Sequence, residues 1–238
     1  MLSKKQKQEY FDRRLAYYQS LFTTKIEKAL NRQIERYLAD FTITVPFFDS
    51  NAIEEVYFDL YEAVISNTFA TEIGNMRSAG MPIMETRLDD NLRAIIREFF
   101  FTSIRPRVQA LTQNTTELLQ SAINKLISTG ATGRDIIKSI RSLNKTRAKT
   151  IAETEIVTAM NFASFKAYDF ADMPTLEKFW ITARDSRVRD KHRAVDGQRR
   201  PKNEPFNVAG ESLMYPGDPA GSLSNTIRCR CTLSAQLI

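Results

Sequence analysis

From Lys4 to Phe41 the chain contains neither Gly nor Pro, and its apolar and aromatic residues recur at three- and four-residue steps. Tyr10, Leu15, Tyr18, Leu21, Phe22, Ile26, Leu30, Ile34 and Leu38 lie on one stripe, with charges filling the other faces. That period predicts one long amphipathic helix over residues 4–41 and commits the first part of the chain to helical architecture. Residues 41–48 alternate and meet Pro46, which reads as an extended connector. Ser50 or Asn51 can cap a second helix, with Glu54 or Glu55 in its first turn. It is expected to run to about Met76 and to stop at the Gly80–Pro82 turn. A third helix starts near Leu88 and carries Leu92, Ile95, Ile96, Phe99 and Phe100, and Pro106 should kink or end it.

Past Thr115 the apolar face is formed by Leu118, Leu119, Ala122, Ile123, Leu126 and Ile127, and it closes at Gly130. Thr132 and Asp135 have the spacing of a capping box, with Asp where Glu or Gln is usual. They predict a short helix through Ile140, followed by a separate helix from about Lys145 to Phe170. After Pro174 the texture changes. Short β-prone runs at 178–182, 226–227 and 232–233 alternate with Gly, Pro, Asn and Asp turns. The expected fold is therefore mainly α: long helices in the N-terminal two-thirds, then a small C-terminal α+β or irregular unit. Two regions follow, a helical one over 1–112 and a second over 113–238 whose helices run to about 172.

The rarest side chains gather in that last unit. The single His, the single Trp, both Cys and the densest basic cluster all fall between Trp180 and Cys231. A net charge of +6 favours acidic partners such as nucleic acid, an anionic surface or an acidic protein face. The N-terminus lacks the apolar core of a secretory signal, and no apolar run reaches the roughly 18–20 residues of a membrane span, so no membrane partner is expected. Two Cys one residue apart make a strained disulfide and point to a reducing cytoplasm.

Three constellations could carry chemistry. His192, Cys229 and Cys231 are the ligand types zinc prefers, with Asp185, Asp196 or Asp218 available as a fourth. With only three of four firm ligands, the competing reading is two small buried thiols and a His bonded to a turn. Residues 184–202 hold eight Lys or Arg against three Asp. Arg184, Arg193, Arg199, Arg200 and Lys202 could neutralise phosphates. The interspersed Asp residues favour an internal ion-pair network instead, and no aromatics interleave for base stacking. Glu153 and Glu155 point about 200° apart on a helix, so they cannot flank one substrate. Glu155 lies on the apolar stripe and needs a cation. The expectation is a clamp of Arg147 and Glu155 with Asp185, Arg187 and Arg189. Phosphate-binding loops, dinucleotide-binding loops and His-Glu-x-x-His are all absent.

The ordered series Arg147-Ala148, Ile151 to Glu155, Ala159, Asn161, Trp180, Asp185 to Arg189, His192, Asp196 to Gln198, Pro216 to Pro219 and Cys229 to Cys231 carries a resemblance. It resembles the head-morphogenesis family of tailed phages, the minor head proteins of the Mu protein F and SPP1 minor capsid type. The similarity covers about residues 115–231. The family's fuller pattern has Cys-x-x-Cys where this chain has Arg189 to His192, and a His just before the closing Cys-Arg-Cys, where Thr226 stands. The resemblance implies a non-enzymatic minor head protein, made in the host cytoplasm and carried in the virion, in the capsid interior or at the portal vertex. Portal, capsid and scaffold proteins would be its partners, with DNA as a further candidate. The competing class is a small nuclease or transferase toxin on a helical delivery segment. Substituting His192 or Glu155 should unfold a structural knob but leave an enzyme folded and inactive.

Overall fold

The computed structural model describes residues 3–39, 50–84, 88–171 and 176–237. Five long helices come first: α1 (Lys4–Ala39), α2 (Ser50–Ser78), α3 (Leu88–Phe99), α4 (Arg105–Ser128) and α5 (Gly133–Asp169). Two short helices and five short strands follow: β1 (Leu176–Ile181), α6 (Asp190–Arg193), β2 (Arg199–Pro201), β3 (Phe206–Val208), β4 (Glu211–Leu213), α7 (Leu223–Thr226) and β5 (Thr232–Leu237). The fold is thus long helices followed by a small strand-containing unit. The connector expected at 41–48 lies outside the described residues. No helix among the described residues is long and apolar enough to cross a membrane.

Local rules place the helix ends. Gly80 and Gly130 take positive φ just past α2 and α4, and the amides of Met81 and Ala131 reach back to Met76 and Leu126. At Pro106 the expected break is gentler than a stop. Phe100–Ile104 widens into a π turn, closed by the Arg105 amide on the Phe100 carbonyl, and α4 starts with Pro106 in its first turn. The proline's missing N–H costs least there.

Thr132 and Asp135 form the capping box as read, with the Thr132 amide on Asp135 at 3.1 Å and the Asp135 amide on Thr132 at 3.3 Å. The helix it starts does not stop near Ile140. α5 runs unbroken for 37 residues, because nothing between Ile140 and Lys145 forces a break. Of the six apolar residues read on α4 two are solvent-exposed: Leu119 and Ile123 pack with Ile140 and Ala122 and Leu126 are half-buried, whereas Leu118 and Ile127 are 56% and 60% exposed.

α5 is the hub. It packs chiefly against α1 and α2, and the C-terminal unit and α4 cover its remaining faces. From Ile151 to Ser164 every residue is buried. A helix buried all round is normally apolar all round. This one carries Glu153, Thr154, Glu155, Thr158, Asn161 and Ser164 among its buried residues, and each needs a partner.

One hydrophobic cluster runs from Phe11 to Ala235, so the helical region and the C-terminal unit share a core. Residues 112–113, where the two regions were expected to meet, lie inside α4. β1 is the central strand of an antiparallel sheet ordered β2-β1-β5, and β3 and β4 form a separate hairpin. The β-prone run expected at 226–227 is instead the end of α7 and its cap.

Candidate functional site

The buried polar residues of α5 all face groups that hold the C-terminal unit or the neighbouring helices. Asn161 donates to the carbonyls of Pro216 at 2.9 Å and Cys231 at 3.0 Å, and accepts from the Leu233 amide at 2.8 Å. Thr158 donates to the Gly217 carbonyl at 2.9 Å. Thr154 accepts the Arg228 amide at 3.0 Å, and the Arg228 guanidinium reaches Glu153 at 3.3 Å. Arg228 takes a positive φ of 54° to present both groups. Together these contacts fasten the turn at 216–217 and the 228–233 segment onto one helix.

Glu155 has different partners from those expected. Arg107 of α4 approaches it at 3.4 Å, and the Tyr61 hydroxyl donates to its other oxygen at 2.5 Å. The charge of Glu155 raises the Arg107 pKa; burial, and then that same charge, push Tyr61 well above the usual phenol range. Arg147 donates to Thr115 at 2.7 Å, and its pKa is lowered by burial. Arg189 donates to the Ile227 carbonyl, while Asp185 pairs with Arg230 and, at 3.6 Å, with Arg187. The five residues expected to form one clamp thus fall into separate contacts. The join between helix and unit runs through Glu153–Arg228 and Asn161. Arg107, Glu155, Arg147 and Tyr57 line a cleft of about 600 Å³ whose rim carries the exposed Leu118 and Leu223.

His192, Cys229 and Cys231 do come together. His192 Nδ1 lies 3.7 Å from the Cys229 sulfur and 3.5 Å from the Cys231 sulfur, and all three residues are 1–2% exposed. His192 Nε2 sits 3.2 Å from Asn225 Oδ1. The Trp180 ring packs edge-on to the imidazole at 5.6 Å. A hydrogen bond from Cys231 draws the Cys229 thiol down to about 5, with further help from His192; the same bond, with burial, pushes Cys231 well above the usual thiol range. None of the three aspartates offered as a fourth ligand is among the clustered groups. Asp185 holds Arg230, Asp196 accepts from the Thr182 amide at 2.8 Å, and Asp218 accepts from the Met214 and Ala220 amides.

The basic loop is laced with ion pairs. Arg184 meets Asp196 at 3.1 Å, Arg193 meets Asp190 at 2.7 Å, and Arg199 meets Glu177 at 3.7 Å. Arg200 donates to the Arg199 carbonyl at 3.2 Å, and Lys202 sits in the turn after β2.

Two buried cations escaped the sequence reading. Lys7, read as filler on a charged helix face, pairs in the core with Glu72 of α2, which also accepts from Ser164 at 3.3 Å. Lys178 is fully buried on β1, where its ammonium donates to the Met214 carbonyl at 2.9 Å and lies over the Phe165 and Phe206 rings. No local pattern marks either one; their partners lie tens of residues away.

Residues 117–234 match the family described as Phage Mu protein F like protein. This segment belongs to that family. It spans the residues of α5 that are buried all round, the three-residue His–Cys cluster and nearly all of the C-terminal unit. An uncharacterized protein of Bacillus subtilis (strain 168), YqbB, is 30% identical over 129 residues, which is 51% of this chain and 42% of YqbB. This chain therefore matches less than half the length of that relative. No solved structure matches the chain.

Proposed function

We propose that this chain is a minor head protein that acts in phage head morphogenesis at the portal vertex and travels in the virion, and that its role is structural. The observation that carries the reading is the Mu protein F like segment at residues 117–234. The geometry supports a structural role for that segment. Glu153, Glu155 and His192 are the side chains best suited to proton transfer, and each is buried and engaged. Glu153 holds Arg228, Glu155 holds Arg107 and Tyr61, and His192 contacts Asn225 and the two thiols. Of the three only Glu155 faces the cleft, and there Arg107 and Tyr61 already hold both of its oxygens, whereas a nuclease or transferase would keep such groups free to meet a substrate.

In this reading the C-terminal unit is a knob welded to α5. The portal, other capsid proteins and scaffold are the partners, met through the α1–α2 layer and the apolar residues left exposed on α4. The carboxylate partners of Arg184, Arg193 and Arg199 make holding its own shape the first duty of the basic loop. Any DNA contact adds to that. It would show as duplex affinity that falls steeply with salt; affinity that does not change with salt removes DNA from the reading.

Quantitative mass spectrometry on purified procapsids and mature virions tests the main claim. A few copies per particle, co-purifying with the portal, is the expected result. Absence from both particles overturns it and favours the toxin class, to be followed by nuclease and transferase assays.

A further inference from the structure

The structure assigns a structural zinc site to His192 Nδ1 and the sulfurs of Cys229 and Cys231. Three separate observations lead there. The first is spacing. Zinc bonds of about 2.0 Å to nitrogen and 2.3 Å to sulfur, meeting at a tetrahedral angle, hold the two ligand atoms about 3.5 Å apart. The imidazole nitrogen lies 3.5 and 3.7 Å from the two sulfurs, and all three ligand atoms sit within 4.8 Å of one another.

The second is orientation. Asn225 Oδ1 can only accept, so at 3.2 Å it fixes the proton on His192 Nε2 and leaves the Nδ1 lone pair facing the thiols. A partner on the second ring nitrogen is the usual companion of a metal-bound His. Asn225 is itself 1% exposed on α7, and nothing in its sequence context marks it.

The third is charge. Two thiolates and a neutral imidazole cancel a zinc dication, so the loaded site is neutral in a setting where an unbalanced charge would be costly. Asp185, Asp196 and Asp218 are occupied elsewhere, so among the described residues three supply ligands and the fourth position falls to water. Three protein ligands and a water are also the pattern of catalytic zinc, but such sites keep the open position within reach of substrate. Here the ligands are 1–2% exposed beneath Trp180. The ion would tie α6, which leads into β2, to the residues just before β5, and β2 and β5 flank β1 on its two sides.

The test uses the full chain, prepared with chelator and reloaded with zinc or cobalt(II). The expected result is one zinc per chain by elemental analysis, together with the absorption of tetrahedral cobalt bound to two thiolates. Cys229→Ser and Cys231→Ser should each abolish retention. Asn225→Ala should weaken zinc affinity about 10- to 100-fold, measured on the folded chain at a temperature below the apo melt, because losing the His192 bond also lowers the stability of the apo form. A folded chain that retains no zinc and gives no cobalt–thiolate band overturns the assignment and leaves a hydrogen-bonded thiol–imidazole cluster. Unchanged affinity in Asn225→Ala overturns the role given to Asn225. Because metal content is the readout, the result stands apart from the head-protein reading, which is decided on particles.

Discussion

Thr158 and Gly217 are in backbone-level contact: a Cβ added to Gly217 would stand 3.2 Å from the Thr158 hydroxyl and 3.4 Å from its Cα, while that hydroxyl donates to the Gly217 carbonyl. The turn at 216–217 therefore rests directly on α5. Gly217 has a φ of 79°, a region that also penalises any side chain.

Gly210 provides the control. It has a similar φ of 86° with no atom within 4 Å of an added Cβ. Gly210→Ala should cost about 1–2 kcal/mol from backbone strain alone. Gly217→Ala should cost more, since the Thr158 hydroxyl, 3.2 Å from the added Cβ, must also give way by a few tenths of an ångström and disturb its bond to the Gly217 carbonyl. Denaturant melts of the two variants check this, and equal losses would show that the turn does not bear on α5.

Asn161 makes three hydrogen bonds to backbone groups of the C-terminal unit. Asn161→Leu keeps the volume but strands two carbonyls and an amide, each at about 1–3 kcal/mol. Thermal unfolding should fall by roughly 10 °C, taking about 2–4 °C per kcal/mol for a chain of this size. A drop of only one or two degrees would mean that the unit is held mainly by its apolar contacts.

Glu155 and Arg107 form a pair that a double-mutant cycle can isolate. Glu155→Gln and Arg107→Met should each destabilise, and the double variant should lose less than the sum, with a coupling of about 1 kcal/mol or more. Glu155→Gln combined with Arg187→Ala or Arg189→Ala should be additive, because neither Arg contacts Glu155. Coupling to those residues in place of Arg107 would restore the clamp expected from sequence.

These pairings show where sequence reasoning reaches and where it stops. Helical period, the Thr132–Asp135 box and the Gly80 and Gly130 stops are local signals, and the helices lie close to where those signals put them. That His192, Cys229 and Cys231 could gather was legible from residue type, and the fold brings their ligand atoms within 4.8 Å of one another. Glu155 could be seen to need a cation, because it sits on an apolar stripe. Which cation it takes depends on how α4 crosses α5, and Arg107 carries no local mark of that crossing. The same limit hid Lys7, whose partner Glu72 lies on another helix, and Asn225, whose role exists only beside His192. A continuous α5 was missed for a different reason: a second helix start was placed near Lys145, where no residue breaks the first helix.

Lys178 gives the chain a pH dependence of definite sign. Burial lowers its pKa from 10.5 to about 8, partly opposed by Asp218. Between those two values the unfolded chain binds more protons than the folded one, so this residue makes stability rise with pH from about 8 towards 10.5. Lys178→Met removes that dependence and leaves the buried tyrosines, which titrate higher, unchanged in both proteins. The stability of the unsubstituted chain relative to Lys178→Met should therefore increase between pH 7.5 and pH 9.5 in denaturant titrations. A constant difference would place the ammonium in contact with solvent, and a shrinking one would mean that its bond to the Met214 carbonyl favours the charged form more than burial opposes it.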